Sequence, residues 1–399
     1  MPAYWRLFSP AVEHCLAGFQ GLESGIWSEL LLGLVSSVSL EEKMIKNIKS
    51  TAKRVAALGA PVIFSVATLS LGISGQASAA IGDTLKAVKD RGSLLCSGHN
   101  GSFPPFVSVS DDNKWSGYDI DYCRALAVAI FGSDESLKIV PISWAQRFPS
   151  LQSGDIDVVI KATGWTMGRD TELGIQFSAP YFVGATNVMM PKELGSTAPE
   201  TLAGGSMCAN AGTSTERLAA NFFKSRDIEI EMITFEKSEE TRAAYFAGRC
   251  DSMVGWGPNL AVTRQGAENP DDHAFMDTAL ALEPESAAMR QGDDNWVDIV
   301  NWMFAVTWIA ESHGITSENV DEHKKNPADS TVEKLLGVSA GIGERLGLDD
   351  DWAYNVIKQI GNSAEIFDRN IGAGSVYGLD RGLNALWSDG GVIVPMILD

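Results

Sequence analysis

Twice in this chain a helix closes on a glycine, and a polar pair then opens a short apolar strand. The first occurrence runs Leu151-Gln152-Ser153-Gly154, Asp155-Ile156-Asp157 and Val158-Val159-Ile160, and the second runs from Gly248-Arg249-Cys250-Asp251 to Val254. Glycine takes the left-handed position after a helix without steric cost. The spacing predicts alternating strands and helices around each phrase. The first round is strand Ser93–Cys96, helix Tyr118–Phe131, strand Leu137–Pro141, helix Ala145–Gln152 and strand Asp157–Ile160. The second is strand Ser206–Ala209, helix Glu216–Phe223, strand Ile228–Ile233, helix Glu239–Ala247 and strand Cys250–Val254. Such alternation demands parallel pairing through crossover helices. A chain that does this twice folds as two α/β halves. Ligands of open α/β sheets bind beyond the C-terminal strand edge. That directs attention to Thr163-Gly164-Trp165-Thr166 after the first phrase and Gly255-Trp256-Gly257 after the second.

The start of the chain reads differently. Lys46, Lys49, Lys53 and Arg54 precede the apolar run Val55–Gly75 and the small-residue site Ala77-Ser78-Ala79. This is the pattern of a cleaved secretory signal peptide, residues 44–79, in preference to a retained membrane anchor. Residues 1–43 then read as an over-extended gene start, with translation from Met44 and a mature chain beginning at Ala80. The 399 residues leave room for two sizeable cores. A net charge of −20 argues against nucleic acid and anionic membrane surfaces as partners. Four cysteines remain after export, Cys96, Cys123, Cys208 and Cys250, with no C-x-x-C spacing. An even number in an exported chain favours disulfides, and three pairings are open.

Familiar catalytic and cofactor patterns are missing. Gly341-Ile342-Gly343 and Gly372-Ala373-Gly374 lack the dinucleotide-binding spacing, and there is no H-E-x-x-H. His99, His273, His313 and His323 are scattered, so neither a metal nor a cofactor is expected. Anion-holding groups, in contrast, stand after both phrases. Arg169 follows Gly164 closely and can grip a carboxylate with two parallel hydrogen bonds. Gly212-Thr213-Ser214-Thr215 offers hydroxyls and amides at a helix start.

Several blocks carry a family resemblance. Gly117-Tyr118-Asp119-Ile120-Asp121 followed by Leu126-Ala127, the loop to Arg169, and Phe177-Ser178-Ala179-Pro180-Tyr181 are three of them. Arg290–Asp294 and the tail blocks Asp350–Tyr354, Glu365–Asn370 and Arg381–Trp387 are the others. Together they resemble the periplasmic solute-binding proteins, family 3, of amino-acid ABC importers, in particular the general L-amino-acid-binding branch. The resemblance implies a two-lobed α/β periplasmic binding fold of type II. Each lobe would be a mostly parallel sheet flanked by helices, and two hinge strands would join them. Lobe 1 would comprise residues 80–187 with 283–399, and lobe 2 residues 188–282. Hinge closure implies disulfides inside each lobe, Cys96–Cys123 and Cys208–Cys250.

The implied function is capture of a small carboxylate, an amino acid or a derivative, in the periplasm and delivery to a membrane ABC permease. The protein would act as a monomer without catalysis or nucleic acid. Arg169 with Thr163, Gly164 and Thr166 would hold the carboxylate from one lobe, and Thr213 and Ser214 from the other. Phe103 and Trp144 would form walls, with Trp165 nearby. Trp256 stands where the family carries an acid for the ligand's ammonium. Common L-amino acids are therefore expected to bind weakly, and carboxylates with an apolar, aromatic or alkylated-amine end better. A cyclohexadienyl dehydratase-like enzyme and a ligand-sensing partner of a membrane receptor are the rival readings.

Overall fold

The computed structural model describes residues 82–399. The expectations for residues 1–43 and 44–79 fall outside the described residues. Among those described, no helix is long and apolar enough to cross a membrane.

In the first half, strand Leu94–His99 runs parallel to Leu137–Ile142, from Leu94↔Leu137 to His99↔Ile142. The expected strand Asp157–Ile160 contributes only two bridges, Cys96↔Val158 and Val159↔Ala288. A side chain explains why the ladder stops. The Ser97 hydroxyl accepts from the Ile160 N–H (2.9 Å) and donates to its carbonyl (3.3 Å), taking the place of backbone pairing. Just beyond, the buried Lys161 ammonium donates to the Gly98 and Ile142 carbonyls at 3.0 and 2.8 Å. It thereby satisfies the C-terminal ends of both parallel strands.

The signature motif has a packing role. Helix Tyr118–Phe131 starts after Gly117, whose φ is +122°. A Cβ there would lie 2.3 Å from the Phe106 carbonyl oxygen, so the helix can approach this closely only through glycine. Asp121 accepts from Arg369 Nε (2.7 Å) and Asn370 Nδ2 (2.6 Å), which ties the motif to a tail block. Tyr122 is fully buried against Phe304, with ring centroids 4.8 Å apart.

Asp119, also fully buried, accepts from the Tyr181 hydroxyl (2.7 Å) and the Ala162 N–H (3.0 Å). Burial nevertheless pushes its carboxyl up to about 7. The folded value lies above the unfolded one, near 3.9. Its stabilising contribution is therefore complete below about pH 4 and is lost as the pH rises to about 7, on the order of 4 kcal/mol. Urea unfolding of the wild type should show stability falling through that window. Asp119→Asn, which does not titrate, should show a visibly smaller fall. Equal slopes would mean that Asp119 is ionised throughout.

The second half is built on a six-stranded sheet. Ser206–Asn210 pairs in parallel with Glu231–Phe235 and with Ser252–Trp256. Phe182–Pro191 adds antiparallel ladders to Ser252–Trp256, His273–Phe275 and Ala281–Glu285. The parallel centre follows from the β-α alternation, and the antiparallel flank from the strand that enters from the first half. The strand expected from Ile228 begins only at Glu231, because the Ile228 N–H closes the turn after the helix on Phe223 O (3.0 Å). Its side chain joins an apolar cluster with Phe223, Leu202 and Val254.

Two strands connect the halves, Phe182–Pro191 and Ala281–Glu285, paired from Phe182↔Glu285 to Thr186↔Ala281. Val183 lies opposite Pro284, which has no N–H to give. The tail supplies the partner instead. Asn384 Oδ1 accepts from the Val183 N–H (2.7 Å) and its Nδ2 donates to the Val183 carbonyl (3.0 Å).

Disulfides join Cys96 to Cys123 and Cys208 to Cys250, with Cα–Cα distances of 6.0 and 5.6 Å, as the resemblance implied. Against the expectation that catalytic patterns are missing, one G-x-S-x-G match is present, Gly337-Val338-Ser339-Ala340-Gly341, but it lies between two short helices and not at a strand-to-helix turn. The Ser339 hydroxyl meets only Glu333 (3.4 Å), so this is no nucleophile elbow.

Candidate functional site

The two halves meet around a narrow inner cavity. Phe103, Trp144 and Arg147 line it from the first half, and Thr213, Ser214 and Trp256 from the second. Asn210, Asn259 and the hinge-strand residue Glu285 complete the polar lining. Hydrogen bonds cross beside it. Asn259 Nδ2 donates to the Pro104 carbonyl (2.7 Å), Trp144 Nε1 to Ser238 Oγ (3.5 Å), and the Ser102 N–H to Glu239.

An outer groove of about 590 Å³ adjoins the cavity, and Ser214 lines both. Gly164, Thr166 and Arg169 face the groove along with Arg217 and Glu283. Arg169 is 5% exposed. Its Nη1 donates to the Gly164 carbonyl (2.7 Å), while Nη2 is buried and unpartnered. Burial and then Arg217 push this guanidinium down to about 10, so it stays charged at neutral pH.

The expected site residues thus divide between two adjoining spaces. Phe103, Trp144, Thr213 and Trp256 lie on the inner cavity, Gly164, Thr166 and Arg169 on the outer groove, and Ser214 on both. Thr163 lines neither; it is fully buried and its hydroxyl donates to the Lys161 carbonyl (2.7 Å). Thr213 caps its helix, accepting from the Glu216 N–H (3.1 Å) and donating to the Asn210 carbonyl (2.8 Å). Its hydroxyl proton is therefore spent. Trp165 belongs to the groove, stacked on Phe177 at 5.9 Å and 41% exposed.

Trp256 is buried between aromatic neighbours, with ring centroids 4.5 Å from Phe106 and 5.0 Å from Phe182. Its indole N–H has no acceptor. Behind the walls, His99 stacks on Phe103 at 5.6 Å and meets Trp144 edge-on at 4.5 Å. Burial, then Lys161, holds this imidazole well below its usual range, so it acts as a neutral aromatic support.

Arg147 and Glu285 escaped the sequence reading. Arg147 opens helix Arg147–Ser153, its guanidinium 5.1 Å from the Trp144 ring centre and 4.8 Å from that of Phe148. It is 1% exposed, and Nε and Nη1 lack partners. Glu285 is 3% exposed with Oε2 unpartnered. Neither belongs to a local motif; the nearest signal was the acid pair Glu283-Pro284-Glu285 in the returning segment. Among the described residues, no cluster of three His, Cys, Asp or Glu side chains is placed to hold a metal.

Residues 95–309 match the bacterial extracellular solute-binding proteins, family 3. The chain belongs to this family. The general L-amino acid-binding periplasmic protein AapJ of Rhizobium johnstonii is 41% identical to this family 3 protein over 79% of the chain and 93% of AapJ. The glutamate/glutamine/aspartate/asparagine-binding protein BztA of Rhodobacter capsulatus is 36% identical over 82% of the chain and 96% of BztA. Among solved structures, a Brucella ovis ABC transporter/periplasmic binding protein with glutathione bound is 41% identical, with a TM-score of 0.75. It covers 79% of this family 3 protein and 98% of its own chain.

Proposed function

We propose that this protein is the periplasmic solute-binding component of an ABC uptake system for amino acids or related carboxylates of amino-acid or small-peptide character. It holds the ligand between its halves and passes it to a membrane permease, with no bond made or broken. The observation that carries this reading is the cavity itself, lined from both halves and joined at Ser214 to a groove that carries Arg169. Arg169 takes the ligand carboxylate, opposite Ser214 and the amides at the start of helix Ser214–Lys224. Phe103 and Trp144 form the wall. The relatives' names, which include amino-acid binding and a bound glutathione, support the same class of ligand. The two lobes of this reading are residues 80–187 with 283–399, and residues 188–282.

Calorimetry with the standard L-amino acids and glutathione tests the proposal, backed by mass spectrometry of small molecules that co-purify with the protein. At least one of these ligands should bind with micromolar or tighter affinity and be recovered unchanged. Turnover of arogenate or prephenate would replace this reading with a dehydratase.

A further inference from the structure

We propose that Glu285 holds the ammonium group of an amine-bearing ligand, from the hinge strand instead of the wall occupied by Trp256. The inference rests on the reading above, that the cavity takes an amino-acid-like ligand.

Trp256 cannot serve. It presents an N–H donor, which repels an ammonium, and its ring packs against Phe106 and Phe182. Among the described residues lining the cavity, Glu285 is the one carboxylate. The amides are committed elsewhere. Asn259 donates to Pro104, and Asn210 donates to Thr241 (3.0 Å) while accepting from Ser238 (3.4 Å). Glu283, two residues earlier on the same strand, accepts from the Thr186 hydroxyl and faces the outer groove. Glu285 Oε2 is left buried without a partner, and a buried carboxylate oxygen in that condition is costly.

Arg147 is not that partner. No N···O approach within 4.0 Å joins the two side chains, although both line the cavity and Arg147 also has unpartnered N–H groups. A buried guanidinium and a buried carboxyl that share a cavity without closing on each other leave room for a ligand with one anionic and one cationic end. The Glu285 backbone is anchored, since its carbonyl accepts from the Tyr181 N–H (2.9 Å) and the residue pairs with Phe182. A carboxylate fixed on the hinge keeps its place whichever way the halves move.

The surroundings add a signature. Burial and then Glu283 raise the Glu285 carboxyl well above the usual range, Asp119 adding to them, while Arg169 and Arg147 oppose. A carboxyl raised in this way gives up its proton more readily once an ammonium lies beside it, so binding of an amine-bearing ligand releases a proton.

The test is calorimetry of L-glutamate, glutathione and N-acetyl-L-glutamate on the wild type and on Glu285→Gln, which keeps the side chain's shape. The amine-bearing probes should lose about tenfold or more in affinity on Glu285→Gln. N-acetyl-L-glutamate, with no ammonium, should bind both proteins alike. Adding Trp256→Asp to Glu285→Gln should recover part of the loss. If the amine-bearing probes bind Glu285→Gln as tightly as the wild type, the inference is wrong while the transport reading stands. If neither these probes nor any standard amino acid binds the wild type, the transport reading falls and takes the inference with it. Should Glu285→Gln not fold, the wild type decides in buffers of different ionisation enthalpy. Proton release with the amine-bearing probe that binds, absent for its N-acetylated form, supports the assignment, and equal proton counts overturn it.

Discussion

Arg169→Ala should weaken binding of a carboxylate ligand by about thirty-fold or more, equivalent to roughly 2–5 kcal/mol. The guanidinium is 5% exposed, keeps its charge, and has Nη2 without a partner beside the groove. Truncation removes the ligand's cation and also strips the Gly164 carbonyl of its 2.7 Å donor. The second effect loosens the loop that carries Gly164 and Thr166. Arg169→Lys keeps the charge but loses the fork of donors, so only part of the affinity should return. Calorimetry with glutathione or L-glutamate, whichever binds the wild type, makes the measurement. An unchanged dissociation constant for Arg169→Ala would transfer the carboxylate contact to Arg147, whose unpartnered N–H groups belong to the guanidinium lining the inner cavity.

The second large effect is expected at Gly184. This hinge-strand residue pairs with Glu283, and a Cβ added to it would lie 1.9 Å from Trp256 Nε1 and 2.3 Å from Cε2. No rotation of an alanine methyl relieves such a contact, so the indole must move. Its neighbours Phe106 and Phe182 resist, because they occupy the space it would enter. Overpacking of this kind costs about 1–3 kcal/mol. Gly184→Ala should therefore lower the thermal midpoint and weaken ligand binding, since Trp256 lines the cavity. Trp256→Phe in the same background removes the crowding ring edge and should restore much of the midpoint. A midpoint for Gly184→Ala equal to that of the wild type would show that the hinge strand yields instead.

The elements were legible wherever local rules decide them. Helix Tyr118–Phe131 keeps its expected bounds because an apolar face, an acidic first turn and Gly132 in the left-handed position agree. Expectation and structure part where a distant side chain intervenes. Nothing around Asp157–Ile160 announces that Ser97 will take over its ladder. Arg169, Phe103 and Trp144 could be picked out because their blocks resemble a family pattern. Arg147 sits at an unremarkable helix start and Glu285 in a strand that reads as a simple return, and only tertiary convergence places them in one cavity. The acid missing at Trp256 was visible in the sequence. The unpartnered Glu285 carboxylate across the same cavity was not.

The paired strands Phe182–Pro191 and Ala281–Glu285 bear on how such a protein can diversify. Because Thr186 lies beside Ala281, the segment between them leaves and rejoins the rest of the chain at neighbouring points. Segments with adjacent ends are the ones a host fold accepts or gives up as a block. Recombination can thus exchange this block, Trp256 and the helix start at Ser214 included, without disturbing Arg147, Arg169 or the Gly117–Asp121 motif. Glu285 lies outside the block. On the proposed assignment of the site, ligand preference would then rest on two separable pieces, and one wall could be replaced while the charges at the hinge stay in place.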